Sequence, residues 1–278
     1  MRFNPLASAM ALTIGLAASP AMAQSEAEGF NGVYVGGSAG VSLQSSDQGS
    51  VIDFDKNRDG TFGDTVLTSG GANAFAPGFC DGAALGNSRA GSCKSDADNV
   101  EYFANIGFDR QMGQFVVGAV GEFGKSDAVD SVTAFSSTPA QYTMTRGFKY
   151  NAGLRLRAGY TPNNTTLFYA TGGGAYAKVK NRFYTSNTAN SFTDNGDGDA
   201  WGYSAGGGVE QKIGKNFSIG VQYLFTDLKD NDYRVTAGPG TAPATNPFLI
   251  ANAAGTDFRR QDDNFRYHSF RATAAFRF

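Results

Sequence analysis

The sequence predicts an all-β chain: a transmembrane antiparallel up-and-down β-barrel of eight strands with long extracellular loops. Three observations carry this. Eight windows alternate apolar or aromatic residues with small, polar or charged ones at a period of two, the mark of strands with two unlike faces. The connections between the windows alternate between tight and long. Glycine (37 residues) and phenylalanine plus tyrosine (23 and 12) are in excess, which suits short turns and pleated strands better than helices.

Residues 1–23 read as a cleaved export signal. Arg2 supplies the positive start, an apolar run covers 6–18, and Ala21-Met22-Ala23 gives the small-x-small cleavage pattern. That run is too short for a permanent helix, which needs about 20 apolar residues to cross a bilayer. The remainder, 24–278, reads as one barrel domain. Export places Cys80 and Cys93 in an oxidising compartment, where two cysteines in one Gly-rich stretch usually pair. With no C-x-x-C motif, the bridge reads as a staple for a loop.

The windows follow in order. Val33, Val35, Ala39 and Val41 oppose Tyr34, Ser38 and Ser42; Val100, Tyr102, Ile106 and Phe108 oppose Glu101, Phe103, Asn105 and Asp109. Phe115, Val117, Ala119 and Phe123 face away from Val116, Val120 and Glu122, and Leu154, Leu156 and Tyr160 from Arg155 and Arg157. The fifth window sets Leu167, Tyr169, Ala175, Ala177 and Val179 against Gly172, Gly174, Tyr176, Lys178 and Lys180. The sixth sets Trp201, Tyr203 and Val209 against Ser204 and Glu210, and the seventh Phe217, Ile219, Val221 and Tyr223 against Ser218 and Gln222. The last opposes Phe270, Ala272, Phe276 and Phe278 to Ser269, Arg271 and Arg277.

Tight turns at 111–114, 161–165 and 212–216 contrast with long, polar connections at 45–98 (loop 1), 126–141, 181–200 and 229–265 (loop 4). Short turns at one end and long loops at the other describe an outer-membrane barrel. A soluble lipocalin-like barrel would instead hold its apolar face inside and its charges outside. An eight-stranded interior has little spare room and the mixed face is rich in Gly and Ser, which favours the membrane arrangement. Aromatics at window ends (Phe115, Tyr160, Trp201, Phe217, Phe278) fall where interfacial girdles place them. Mean hydropathy below zero (−0.29) fits a wall with one polar face and water-facing loops.

Composition excludes several functions. With 23 basic and 25 acidic residues there is no basic surplus for nucleic acid, and one His with two Cys leaves few routes to zinc or His-based catalysis, so no enzyme is expected. Gly36-Gly37-Ser38-Ala39-Gly40 fits G-x-S-x-G but lies inside a strand window, and the Gly172-Gly173-Gly174 run continues an alternation instead of opening a helix. Asp55, Asn57 and Asp59, followed by Gly60, match alternate ligand positions of a calcium loop. The twelfth position is Val66 in place of Glu, so Asp64 or Asp53 would complete a looser Ca2+ site in extracellular loop 1, against an Asx-turn-rich loop. A second, weaker candidate is the acidic run 194–199. The inward charges Glu101, Asp109, Glu122, Arg155, Arg157, Lys178, Glu210 and Arg271 are expected to pair and close the lumen, since an unpaired buried charge costs several kcal/mol.

The segments Phe30-Asn-Gly-Val-Tyr-Val-Gly-Gly37, Gly153-Leu-Arg-Leu-Arg-Ala-Gly-Tyr160 and Tyr169-Ala-Thr-Gly-Gly-Gly-Ala-Tyr176 resemble the opacity-type, OmpA-like eight-stranded outer-membrane barrel family, often called porin-like. Gly206-Gly-Gly-Val-Glu210, Tyr223-Leu-Phe-Thr-Asp-Leu228 and the terminal Phe278 add to the resemblance. It departs in the third window, where Val120 stands in place of one of two inward acids, and it includes no peptidoglycan-binding domain after the last strand. The resemblance implies a bacterial outer-membrane location, contact with outer-membrane lipid, and recognition of Phe278 by the barrel-insertion machinery. The function expected is structural and surface-interactive, with an unidentified extracellular ligand at the loops. Two alternatives stand beside it. One is a small-solute channel, if loop 1 adds wall strands near 51–54 and 61–67. The other is a barrel enzyme using His268 near Asp262 and Asp263.

Overall fold

A computed structural model describes residues 29–44, 50–96, 99–230 and 232–278; the export signal expected at 1–23 lies outside them. The strands, in chain order, are β1 (Gly32–Gln44), β2 (Ile52–Asp55), β3 (Gly78–Asp81), β4 (Ala83–Ala84), β5 (Cys93–Lys94), β6 (Asn99–Met112), β7 (Phe115–Ser126), β8 (Val129–Ser136), β9 (Ala140–Tyr160), β10 (Thr166–Thr185), β11 (Ser191–Asp194), β12 (Gly198–Ile213), β13 (Phe217–Lys229), β14 (Val235–Gly238), β15 (Thr256–Arg260) and β16 (Asn264–Arg277).

Eight of them, β1, β6, β7, β9, β10, β12, β13 and β16, pair antiparallel in that order, and β16 pairs back onto β1 from Tyr34 opposite Arg277 to Gln44 opposite Tyr267. Closure leaves the wall without an unpaired edge, a requirement for any sheet that meets hydrocarbon. The three tight turns predicted from sequence join β6 to β7, β9 to β10 and β12 to β13, all at one end. Seven of the eight strands present the faces that the alternation predicts.

The fifth window is the exception. In β10 the residues Leu167, Tyr169, Ala175, Ala177 and Val179 are buried in the lumen, and Phe168, Tyr176, Lys178 and Lys180 face outward, so Lys178 is not a lumenal charge. The alternation itself holds through Gly172-Gly173-Gly174; it is the inward face that differs, because Leu167 and Tyr169 pack into an apolar layer at the bottom of the lumen and Ala175, Ala177 and Val179 into another at the top.

The second difference concerns the loops. The connection at 126–141 is mostly strand: β8 turns back over 137–139 into β9, which runs for 21 residues, and β10 runs for 20. A tilted strand needs only about 9–11 residues to cross the hydrocarbon layer. Both therefore continue beyond the barrel, where β8 and β3 extend the sheet. Facing them is a separate sheet in the order β11-β14-β15-β2, built from loop 1, the 181–200 connection and loop 4. The wall-widening strands considered for loop 1 do not enter the barrel. β2 pairs with β15, and Leu67 makes only an isolated bridge to Asn73.

These pieces form a cap with its own apolar core. Phe54, Phe75, Tyr142, Phe248 and Phe258 stack at its centre among Ile52, Val132, Met144 and Val235. Burying such side chains supplies roughly 1.5–3 kcal/mol each, upper estimates that offset the entropy of ordering long connections. The disulfide Cys80–Cys93 ties β3 to β5 at the edge of the cap.

Candidate functional site in the lumen and cap

From the tight-turn end upward, the interior is layered. Phe30, Val116, Leu167 and Tyr169 form an apolar floor. Above it lies a first ionic cluster. Arg157 reaches Asp109 and Glu210, each at 2.8 Å, and Arg277 reaches Asp109 at 2.8 Å and Glu210 at 3.2 Å. Ser218 Oγ donates to Glu210 at 2.7 Å, and the Tyr34 ring lies beneath both guanidiniums at 5.2 and 4.7 Å. Two glycines make this possible. A Cβ on Gly118 would lie 2.1 Å from the Asp109 carboxylate, and one on Gly107 would lie 2.3 Å from the Tyr34 ring.

A second cluster sits above the first. Arg271 joins Glu101 at 2.6 Å to Glu122 at 2.9 Å, and Arg155 Nη2 donates to Glu122 at 2.8 Å. Ser42 Oγ donates to Glu101 at 2.8 Å and shares a hydrogen bond with Ser126. Four arginines thus meet four carboxylates, all deeply buried. The lumenal residues named from sequence are brought together here except Lys178, and Arg277, which alternation had placed on the inner face, joins them. The cavity between the clusters, bounded by Asn105, Arg155, Arg157, Tyr169 and Glu210, is about 40 Å³. A water molecule needs at least about 10–15 Å³ of such space, so the cavity admits only a few. Phe148, Ala177, Val179, Phe265 and Tyr267 close the layer above.

The cap holds a third ionic group that sequence reasoning missed. Asp130 receives Arg146 Nε at 2.7 Å and Arg260 Nη2 at 2.7 Å, with Asp130 and Arg146 each only 1% exposed. Arg146 Nη2 also donates to the Asn264 carbonyl at 2.6 Å and Arg260 Nη1 to that of Met144 at 3.3 Å. Burial alone would raise Asp130, but Arg260 and Arg146 hold its carboxyl below the usual range. Asp81 and Asp96 approach the same spot, with one oxygen of each of the three acids within 4.8 Å of the others. Burial, reinforced by Asp130 and Asp81, pushes Asp96 up to about 6 while its carboxylate accepts the Ser131 N–H at 2.9 Å. Sequence offered little signal for it, because β8 is buried on both faces and 129–136 carries no period-two pattern.

In the segment proposed for calcium, Asp55 accepts the N–H groups of Asp59 and Gly60 at 3.1 and 2.7 Å, and Asp64 accepts that of Lys56 at 3.0 Å. Asn57 donates its side-chain amide to Asp59 at 2.8 Å. The carboxylates are turned onto their own loop as Asx turns. In the 194–199 run, Asp197 pairs with Lys149 and Asp199 with Lys178. His268 lies on the outer wall with its Nδ1 2.7 Å from the Tyr223 hydroxyl, stacked among Tyr223 and Phe225; Asp263 pairs instead with Lys229.

No protein-family model matches the chain. The 31 kDa outer-membrane immunogenic protein of Brucella melitensis is 33% identical over 113 residues, 41% of this chain and 47% of that one. The 22 kDa outer membrane protein of Rhizobium leguminosarum is 29% identical over 132 residues, 48% of this chain and 54% of that one. The chain thus spans about half the length of the curated relatives it matches. The fold is that of the outer membrane protein OprG of Pseudomonas aeruginosa, with a TM-score of 0.51 at 11% identity over 90% of this chain and 99% of that one. The chain is an outer-membrane β-barrel. Its outward apolar face is therefore the lipid-facing wall, bounded below by Phe115, Tyr160, Phe276 and Phe278 and above by the ladder Phe123, Tyr150, Tyr176 and Trp201, whose neighbouring rings lie 5.7, 6.2 and 4.7 Å apart.

Proposed function

We propose that the protein is a surface protein of the outer membrane with a closed lumen, whose function resides in the exposed face of the cap and whose barrel anchors and orients that face. One observation carries this reading: two complete ionic clusters are stacked across the lumen between apolar layers, with a cavity of about 40 Å³ between them. A path for hydrated ions would have to break several buried pairs at once. The cap supports the surface role, because a cored and disulfide-tied structure presents a fixed relief to a partner outside the cell. Planar-bilayer recording with refolded protein tests the closed lumen. The expected record contains no stable unitary openings; openings of uniform size would replace this reading with a small-solute channel.

A further inference from the structure

Charge is unevenly distributed around the outer wall just above the upper aromatic girdle. On most of the circumference each outward cation meets an acid: Lys125 with Asp127 at 2.8 Å, Arg266 with Asp227 at 3.2 Å, Lys229 with Asp263 at 3.6 Å. Along β10 the pattern changes. Lys178, Lys180 and Arg182 occupy successive outward positions, beside Lys149 of β9. Lys178 and Lys149 are held by Asp199 and Asp197, whereas Lys180 and Arg182 are exposed and have no ion-pair or hydrogen-bond partner among the described residues. Opposite Lys180 on β9 stands Gly147, and opposite Arg182 stands Thr145, so the neighbouring strand offers no acid.

Height fixes what this stripe meets. Tyr176, in the girdle with Trp201 and Tyr150, directly precedes it on the same face. Successive same-face residues are about 7 Å apart along a strand, so Lys180 and Arg182 stand within roughly 20 Å of Tyr176 along β10 and lower once strand tilt is counted. That is the headgroup zone of the outer leaflet, reached by side chains whose stems can lie along the wall.

We propose that Lys178, Lys180 and Arg182 form a binding stripe for the phosphates of an outer-leaflet glycolipid, whose acyl chains lie on the apolar wall below. The cations supply the charge, and the guanidinium of Arg182 offers paired donors to a phosphate. The proposal rests on the outer-membrane placement alone and is independent of whether the lumen conducts.

The test is binding of lipid A to the refolded full chain in detergent, compared with dephosphorylated lipid A, and with the variants Lys180→Gln/Arg182→Gln and Lys125→Gln. All changes are on the surface, and a mobility difference between boiled and unboiled protein verifies the barrel in each. Lipid A should bind more tightly than its dephosphorylated form, and the double variant should lose about thirtyfold in affinity at low salt while Lys125→Gln loses little. Equal binding of the two lipids, or an unaffected double variant, overturns the proposal. So does complete displacement of lipid A by millimolar inorganic phosphate, which would mark a site for free anions.

Discussion

The lumen and the cap both bury arginine against carboxylate, yet they are wired differently. In the lower lumenal cluster each arginine reaches both acids and each acid reaches both arginines. In the cap, two guanidiniums converge on the single carboxylate of Asp130. The lumen is redundant, with its pairs mounted on a closed wall, whereas the cap concentrates a large electrostatic load in one side chain between two sheets. A charge lost in the lumen has a second partner nearby; a charge lost at Asp130 removes the one ion-pair partner that the two buried guanidiniums have among the described residues.

Asp130→Ala should therefore have the largest effect, destabilising the cap by about 3–5 kcal/mol, the cost of breaking a buried pair. Protease sensitivity of the cap would reveal it while the unboiled barrel keeps its compact mobility; an equally protected cap would mean that Asp130 carries no such load. Cys93→Ser comes next, at about 3 kcal/mol for the loop that the bridge closes, and again the loss should be confined to the cap. Arg277→Met probes the redundant side. Asp109 and Glu210 retain Arg157, so about 1–3 kcal/mol is expected, seen as a lower temperature for loss of the compact gel form. A cost as large as that of Asp130→Ala would erase the contrast.

A smaller effect comes from pH. The carboxyl of Asp96 is raised to about 6 in the folded cap from 3.8, chiefly by burial, so the folded state keeps a proton that the unfolded state has released. This contribution to stability is complete below about pH 4 and is lost as pH rises through about 6. Asp96→Asn should flatten that part of the profile and raise cap melting near neutral pH, measured by hydrogen exchange in the cap. The smallest expected effect concerns calcium. With Asp55, Asp59 and Asp64 satisfied by their own loop, millimolar calcium should leave cap melting unchanged, and Asp55→Ala/Asp59→Ala should not alter that response. A calcium-dependent rise in melting that the double variant abolishes would establish the ion site.

The difference between lumen and cap is also the difference between what could and could not be read from sequence. Wall strands advertise themselves because lipid on one side and ions on the other force a strict alternation, as in Arg155 and Arg157 between Leu154, Leu156 and Ala158. In β10 the alternation is equally regular, but its apolar face lines the apolar layers of the lumen and its lysines face out, so the rule that puts the apolar face on lipid places Lys178 on the wrong side. The cap strands are short and often buried on both faces; β8 is enclosed along nearly its whole length, so Asp130, Ser131 and Thr133 read as polar loop. Arg146 and Arg260 acquire their meaning only from Asp130, more than 100 positions away from Arg260 in the chain, a pairing that no local pattern encodes.

β9 and β10 stay paired from the periplasmic turn into the cap, with one register shift at Lys178/Val179, so the surface they carry is tied to the wall by a ladder that continues on both sides of that bulge. At about 3.3 Å per residue each strand is roughly 65 Å long, enough to cross the membrane and carry its outer end about 10 Å beyond Arg182. A force applied by a docking partner is borne as shear along ladders of hydrogen bonds and delivered to the wall. A ligand at the tip therefore meets a target whose height and bearing relative to the cell surface are set in advance, with little orientational entropy left to lose on engagement.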